Sequence, residues 1–165
     1  MCGAGHAPRQ ISDLPANHQT HRVTTRSLHA VTDPESAKVP TVQATVDVFM
    51  DEYIRRYSER DVDGVTELCL APFLAIREGV PIHLPDRHAV RDHFAAMIDA
   101  YRGGGVAVWR RIESDIRELG EYAVFTTVRW NALDAQGDVL RDTRTTYHLL
   151  ATPDGWRILS YTNHF

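Results

Sequence analysis

Two histidines are the first candidates for acid–base chemistry in this chain. His83 lies in the run from Pro81 to Leu84, where it alternates with apolar residues, so its imidazole could face an apolar pocket. His164 closes the last predicted strand and could point into the mouth of such a pocket. An imidazole near its usual pKa can act as a general base at neutral pH. The alternatives are an exposed edge-strand histidine for His83 and a frayed terminal residue for His164.

Trp130 is a candidate wall for an apolar ligand. It alternates with Val124, Thr126 and Val128 in a predicted strand, and this face is apolar except for one threonine. We therefore expect it to be the inward, concave face, where an indole offers a flat surface to a ligand. The same alternation sends Arg129 to the opposite, convex face.

Composition argues against several classes of function. The formal net charge is -4 and no basic stripe is present, so nucleic acid is not an expected partner. No stretch approaches the ~18 apolar residues that span a membrane, and no apolar leader is present, so we expect a cytoplasmic protein. Cys2 and Cys69 have neither disulfide nor metal-ligand spacing. No motif indicates a nucleotide, flavin, haem or zinc site, so we expect no cofactor and no metal.

The first part of the chain differs in composition from the rest. Residues 1–40 are rich in polar residues and lack sustained apolar periodicity. Such a segment cannot bury enough apolar surface to offset the entropy lost on ordering. We predict a poorly ordered tail over 1–40 and one folded domain over 41–165.

Three helices are predicted from apolar periodicity and capping residues. The first covers 41–58 and carries Tyr53 on its apolar stripe. The second follows an N-cap at Asp61. The third opens at Asp86 and carries Phe94 on its inner stripe.

The rest of the chain is rich in strands. Pro72 is predicted to end the second helix, and Glu78-Gly79 is a plausible hairpin turn in which the glycine supplies a positive φ. Tight turns between the later strands favour an antiparallel meander, which makes the fold class α+β. The predicted strands are Phe73–Arg77, Val80–Leu84, Val106–Glu118, Glu121–Leu133, Val139–Thr152 and Trp156–His164.

Two runs, together with this order of elements, carry a resemblance to a known family. The run from Tyr53 to Val65 and the run Gly155-Trp-Arg-Ile158 resemble parts of the nuclear-transport-factor-2-like superfamily, which includes ketosteroid isomerases and SnoaL-type polyketide cyclases. The first run resembles the end of that family's first helix, and the second resembles its closing strand. The resemblance covers about residues 42–165. It implies a curved antiparallel sheet wrapped around helices, forming a cone-shaped pocket.

The resemblance also implies roles for particular positions. Ketosteroid-isomerase-like members use a tyrosine of the first helix as an oxyanion donor, and Tyr53 matches it. Arg77 occupies the position of the family's carboxylate base, which Glu78 reaches only with a one-residue shift. Tyr147 occupies the position of a second acid. Both acids therefore differ in this chain, and Tyr53 could instead be a packed core aromatic.

In this superfamily the pocket is lined by the first helix, the hairpin and the concave faces of the long strands. Limonene-epoxide-hydrolase-like members use an Asp-Arg-Asp set, which Arg111 could form here with Asp115 or Asp142. The facing of Trp109 and Arg111 is left open. The residues expected to contact a ligand are Tyr57, Phe73, Phe94 and Trp130.

Two functions are consistent with these patterns. The first is an enzyme that acts on a small, mostly apolar molecule without a cofactor, as an isomerase, cyclase or dehydratase. The second, favoured by the changed acids, is a non-catalytic ligand-binding or dimerisation module. A homodimer through the convex face is implied by the resemblance, with Phe125, Thr127 and Arg129 as contributors. The catalytic candidates are Tyr53, His83, Tyr147 and His164.

Overall fold

The computed structural model describes residues 40–164. The tail predicted over 1–40 lies outside the described residues, apart from Pro40. The helices are α1 (Val42–Glu59), α2 (Val62–Glu67) and α3 (Arg87–Gly103). The strands are β1 (Cys69–Arg77), β2 (Val80–Leu84), β3 (Val108–Glu118), β4 (Ala123–Leu133), β5 (Val139–Thr152) and β6 (Gly155–His164). None of these three helices is long and apolar enough to cross a membrane.

The strands form one sheet in the order β2-β1-β6-β5-β4-β3. Neighbouring strands are antiparallel except β1 and β6, which run parallel. Register shifts in the β3–β4, β4–β5 and β5–β6 pairs mark bulges, which bend strands and increase their twist. The predicted α+β class, with a curved and mainly antiparallel sheet around the helices, is confirmed.

Polar caps fix where the helices begin. The Thr41 hydroxyl accepts a hydrogen bond from the Ala44 amide at 3.2 Å, and the Asp61 carboxylate accepts one from the Gly64 amide at 2.8 Å. Asp86 caps α3 in the same way. The predicted caps at Asp61 and Asp86 are therefore confirmed.

The second helix ends before Pro72, contrary to the prediction. α2 stops at Glu67, and β1 already begins at Cys69 rather than at Phe73. Pro72 lies inside β1, where the pairing with β6 shifts register between Cys69 and Leu74. Proline has no backbone N–H to donate to a ladder, so here it interrupts a strand instead of ending a helix.

The hairpin turn lies at Glu78 and Gly79, as predicted. Their φ angles are both positive, at 53° and 75°. Two consecutive positive values are typical of a type I′ turn, whose twist matches that of the strands it joins. Glu78 is therefore an exposed turn residue.

The core fills the space between the helices and the concave face of the sheet. Phe94 of α3 lies at its centre, and its ring packs edge-to-face against Tyr53, Tyr57 and Phe73 with centroids 5.9–6.5 Å apart. Every second residue of β4 from Val124 to Trp130 is buried, as expected for the concave face. The sheet and both long helices therefore share one core.

An arginine joins α1 to the edge strand β3. Arg111 Nε and Nη2 each donate to the Asp51 carboxylate at 2.7 Å, and Nη1 donates to Asp47 at 2.8 Å. The Ser114 hydroxyl donates to the same Asp47 oxygen at 2.6 Å. Burial alone would raise the pKa of Asp47, but hydrogen bonds from Gln43 and Ser114 and the charge of Arg111 lower it overall. The Asp47 carboxylate is therefore held in its ionised form.

These contacts establish the facing of Trp109 and Arg111. Both lie on the concave side of β3, toward α1. The Trp109 backbone amide donates to the Ser58 hydroxyl of α1 at 3.1 Å. The helix is thus tied to the sheet edge by a backbone amide as well as by a guanidinium.

The Asp-Arg-Asp set expected for Arg111 with Asp115 or Asp142 does not form. The register of β3 shifts between Arg111 and Glu113, and this bulge turns Asp115 to the convex face. Asp142 instead accepts a hydrogen bond from Arg129 Nε at 2.9 Å, also on the convex face. Arg111 pairs instead with the carboxylates of Asp47 and Asp51 on α1.

We expect Arg111→Gln to lower the free energy of unfolding by about 1–2 kcal/mol, because it removes three charge-assisted hydrogen bonds and leaves the partly buried Asp47 without its cation. Arg129→Gln is the matched control, since it deletes the same charge from an exposed pair on the convex face. Its effect should be clearly smaller. Urea denaturation measures both, and equal losses would contradict a special role for Arg111.

Candidate functional site

A small cavity lies between α1, α3 and the concave faces of β4, β5 and β6. Its volume is about 50 Å³, well below the ~300–1,000 Å³ of pockets that hold drug-sized ligands. Its buried walls are mainly aromatic, formed by Tyr53, Tyr57, Phe94, Trp130, Tyr147 and Tyr161. Its rim is half-buried and mixed in polarity, formed by Ile54, Met97, Tyr101, Trp109, Thr143 and Asn163. A ligand of more than a few atoms would require rim side chains to move.

The floor of the cavity carries a hydrogen-bonded pair of aromatic side chains. Trp130 Nε1 donates to the Tyr147 hydroxyl oxygen at 3.1 Å. Burial raises the pKa of Tyr147, and hydrogen bonds with Trp130, Thr145 and Tyr53 offset only part of that increase. Burial likewise raises the pKa values of Tyr53 and Tyr57 well above their usual range. These phenols are neutral at physiological pH and can act as hydrogen-bond donors.

His93, which was not predicted as a site residue, contacts a further phenol of the cavity wall, that of Tyr161. His93 Nε2 lies 2.7 Å from the Tyr161 hydroxyl. Burial, and then the nearby charge of Arg77, lower the pKa of His93. Burial also raises the pKa of Tyr161. The pair is therefore a neutral imidazole in contact with a neutral phenol, an arrangement that can pass a proton.

A sequence signal for His93 was available. It follows Val90 by three residues and precedes Phe94, so it lies at the edge of the inner stripe of α3. Its partner is 68 positions away on β6. Local periodicity does not reveal that contact.

Five of the predicted site residues line the cavity, whereas Phe73 lies behind its wall. The five that line the cavity are Tyr53, Tyr57, Phe94, Trp130 and Tyr147. Phe73 is 1% exposed and packs against Phe94 and Tyr161, with ring centroids 5.9 and 5.8 Å away. It supports the wall from behind, because the rings in front of it fill the concave surface.

The expectation that His83 faces the pocket is wrong. It lies on the opposite side of β2, where it pairs with the exposed Leu74. The flanking Ile82 and Leu84 take the inward positions. The alternation that was used to place His83 inward places its apolar neighbours inward instead.

The expectation that His164 points into the mouth is also wrong. Its Nε2 lies 2.8 Å from the Thr146 hydroxyl, on the convex face, and the side chain is exposed. Tyr161 and Asn163 of the same strand line the cavity. Alternation along β6 therefore turns His164 away from it.

No carboxylate of residues 40–164 lines the cavity. Arg77 stands where the resemblance places a base, and Glu78 lies in the exposed turn. The described residues also hold no group of three His, Cys, Asp or Glu side chains placed to bind a metal ion. The chemistry available at the walls is hydrogen bonding by neutral phenols, one of which, Tyr161, contacts the imidazole of His93.

Comparison with known sequences and structures gives a consistent picture of the fold. Residues 37–165 match the family described as NTF2-like protein (DUF6841). None of the curated protein sequences matches the chain.

Three solved structures illustrate the likeness of fold. An NTF-2 like protein of unknown function from Shewanella oneidensis is 14% identical, with a TM-score of 0.60 over 74% of this chain and 98% of that one. Aln2 from a Streptomyces species is 19% identical, with a TM-score of 0.61 over 77% and 94%. An NTF2-like protein with a cystatin-like fold from Novosphingobium aromaticivorans is 14% identical, with a TM-score of 0.57 over 73% and 79%. At these identities the likeness concerns the fold alone.

Tyr147→Phe should lower the free energy of unfolding by about 1–3 kcal/mol, because it leaves the buried Trp130 N–H without its acceptor. In the double variant Trp130→Phe/Tyr147→Phe neither partner is left unsatisfied. Its loss should therefore be smaller than the sum of the two single losses. Urea denaturation of all four proteins gives this comparison, and additive losses would show that the bond contributes nothing to stability.

The pH dependence of stability should report on His93. Because its folded-state pKa lies below 6.5, the unfolded chain takes up a proton near pH 6.5 while the folded state does not. Stability is then complete above that pH and falls as the pH is lowered toward the folded-state pKa. Between about pH 7 and about pH 5, wild type should lose more stability than His93→Gln.

His88→Gln is the control for that comparison, since its side chain is 82% exposed on the same helix. Thermal or urea unfolding at each pH provides the measurement. If His93→Gln and His88→Gln follow the same pH profile, His93 is not a buried neutral group.

Proposed function

We propose that this chain, which belongs to the NTF2-like protein family DUF6841, binds a small, mostly apolar molecule that carries a carbonyl oxygen. The observation that supports this is an aromatic cavity whose walls include two neutral phenols, Tyr53 and Tyr147. Apolar rings favour an apolar body, and the hydroxyl groups select a hydrogen-bond acceptor. The phenols are the polar groups that would fix the orientation of the ligand.

The hydrogen bonds at the cavity floor favour a ligand that accepts hydrogen bonds over one that donates them. The Tyr147 oxygen already accepts the indole N–H of Trp130, and a hydroxyl that accepts such a bond can still donate its own proton. Tyr53 lies beside it, with ring centroids 5.7 Å apart. Two neighbouring hydroxyls can both donate to one carbonyl oxygen, which has two lone pairs.

Binding requires the small cavity to open. Met97 and Ile54 are half-buried at its rim, and methionine adapts readily because its side chain is unbranched and flexible. Movement of these side chains would enlarge the cavity while the backbone of the sheet stays in place. A flat, unsaturated ligand needs the least enlargement.

A cofactor-independent enzyme is the second candidate. The observation that favours it is the 2.7 Å contact between His93 Nε2 and the Tyr161 hydroxyl. A neutral imidazole behind a phenol can take up a proton that the phenol relays from a bound molecule. Isomerisation, cyclisation and dehydration all need such a transfer. Tyr53 and Tyr147 would then stabilise the developing oxyanion.

The homodimer implied by the resemblance stays a prediction. The convex face that would form it exposes 40% of Phe125, whose ring stacks on His148 with centroids 4.7 Å apart. Thr127 and Arg129 lie on the same face, where Arg129 pairs with Asp142.

Benzylideneacetone, a flat neutral ketone, is a suitable probe for the cavity. We expect it to quench the fluorescence of Trp130 and Trp109, which line the cavity. Tyr53→Phe should weaken its binding by about two- to tenfold, because one neutral hydrogen bond is lost. Tyr122→Phe is the matched control, since Tyr122 is 69% exposed outside the cavity.

No saturable quenching of wild type would contradict binding, and a Tyr53→Phe variant that binds like wild type would contradict the role of the Tyr53 hydroxyl. The same probe in deuterated water separates the two candidate functions. Exchange of its methyl protons requires a base at the site, and that exchange should disappear in His93→Gln if the enzyme candidate is right.

A further inference from the structure

Arg77 lies at the open end of the concave surface. On β1 the alternate residues Phe73 and Ala75 are buried in the core, and Arg77 is the next residue on that face. In the parallel pairing with β6, Ala75 is opposite Tyr161. Extending this register by two residues places Arg77 beside Asn163, which lines the cavity rim. The guanidinium contacts Met97, which lines the cavity, so Arg77 lies next to the cavity mouth.

The contacts of Arg77 leave its charge unbalanced. Its Nη1 contacts the Met97 sulfur, a weak acceptor, and its Nε is buried without a hydrogen-bond partner. Within residues 40–164 no acidic side chain pairs with it, in contrast to Arg111 and Arg129, which bind carboxylates. A guanidinium that loses hydration without gaining an anion is destabilising by itself. Such a group in a cavity mouth points to an anion supplied from outside.

The surroundings of Arg77 reinforce a positive mouth. Burial raises the pKa of Tyr161 and lowers that of His93, and the charge of Arg77 opposes the first change and adds to the second, since Arg77 lies near both groups. Arg141 adds a second cation at the rim, with its guanidinium carbon 5.7 Å from the centre of the Tyr101 ring. No carboxylate among the described residues lines the cavity to offset these charges.

Asn163 offers a second hydrogen-bond donor at the same place. Its side-chain oxygen accepts from the Thr145 hydroxyl at 3.1 Å. This contact leaves the NH₂ group of the carboxamide available to a further acceptor. A guanidinium fork and a neighbouring amide match the oxygens of a planar carboxylate.

We propose that the cavity mouth binds a carboxylate, held by Arg77 with help from Asn163, so that the ligand is an unsaturated carboxylic acid whose mostly apolar body, with the carbonyl oxygen that the phenols bind, enters the cavity. This assignment rests on the proposed ligand-binding function of the cavity and adds the chemical class of the ligand. The apolar body lies against Phe94 and Trp130. The charge stays at the rim, where solvation is partly retained.

Cinnamate and its neutral isostere cinnamamide test this assignment. We expect wild type to bind cinnamate about ten- to hundredfold more tightly than cinnamamide, because charge-assisted hydrogen bonds are stronger than neutral ones. Arg77→Gln should abolish the preference while cinnamamide affinity stays within about twofold. Arg117→Gln is the matched control, since it removes the same charge from the exposed, convex side of β3. Titration with tryptophan fluorescence measures all three proteins.

The outcomes separate the two proposals. If cinnamamide and benzylideneacetone bind but cinnamate binds no more tightly, Arg77 is a solvated side chain and the carboxylate site is overturned while the cavity function stands. Equal weakening of both probes by Arg77→Gln overturns it as well. If no probe binds wild type, both proposals fail.

A second variant keeps the test decisive if circular dichroism shows that Arg77→Gln is unfolded. Arg77→Lys retains the charge but not the guanidinium fork, and it should keep part of the preference for cinnamate. The preference of wild type should also weaken as salt is added, because salt screens the charge pair at the rim. If the preference for cinnamate is unchanged both in Arg77→Lys and in added salt, the role of Arg77 is overturned.

Discussion

Four buried tyrosines share one space, and each brings a hydroxyl group that needs a hydrogen-bond partner away from bulk solvent. Two of them have defined partners. The Tyr147 oxygen accepts from Trp130 of β4, and the Tyr161 hydroxyl contacts His93 of α3. The first contact joins two neighbouring strands, and the second links a helix to the sheet in a directional way that ring packing alone does not. The buried walls of the cavity therefore carry neutral hydrogen-bonding groups.

The parallel pairing of β1 and β6 determines which parts of the chain meet at that space. It brings the strand after the short second helix alongside the last strand, with Ala75 opposite Tyr161. As a result, the cavity is built from two helices and several strands, and no single segment contains it. The same pairing brings the end of β1, with Arg77, alongside the end of β6, where Asn163 lines the cavity rim.

Local sequence patterns predicted the helices and strands, whereas the arrangement of the candidate site depends on contacts between residues far apart in the sequence. Side-chain caps act within three residues, which is why Asp61 and Asp86 marked helix starts correctly. The pairing of Arg111 with Asp47 spans 64 positions, and the bulge after Arg111 turns Ser114 toward the same carboxylate, which no local pattern predicts.

The two misplaced histidines show a different limit. Alternation shows which residues share a face but not which face is concave. His83 alternates with apolar residues, and the core contains Ile82 and Leu84 rather than the histidine between them. For Trp130 the same rule gave the correct face, because that face is apolar except for one threonine and is stabilised by burial.

The contacts between α1 and β3 also protect the edge of the sheet that β3 forms. An exposed edge strand offers a row of unpaired amides to strands of other molecules, which promotes aggregation and amyloid-like stacking. On β3 the Ser58 hydroxyl already occupies the Trp109 amide, and the bulge near Ile112 interrupts the row. Charged residues such as Arg110 and Arg117 flank the interruption. A strand of another molecule meets no continuous row of free amides along β3, so the fold discourages fibril growth from this edge.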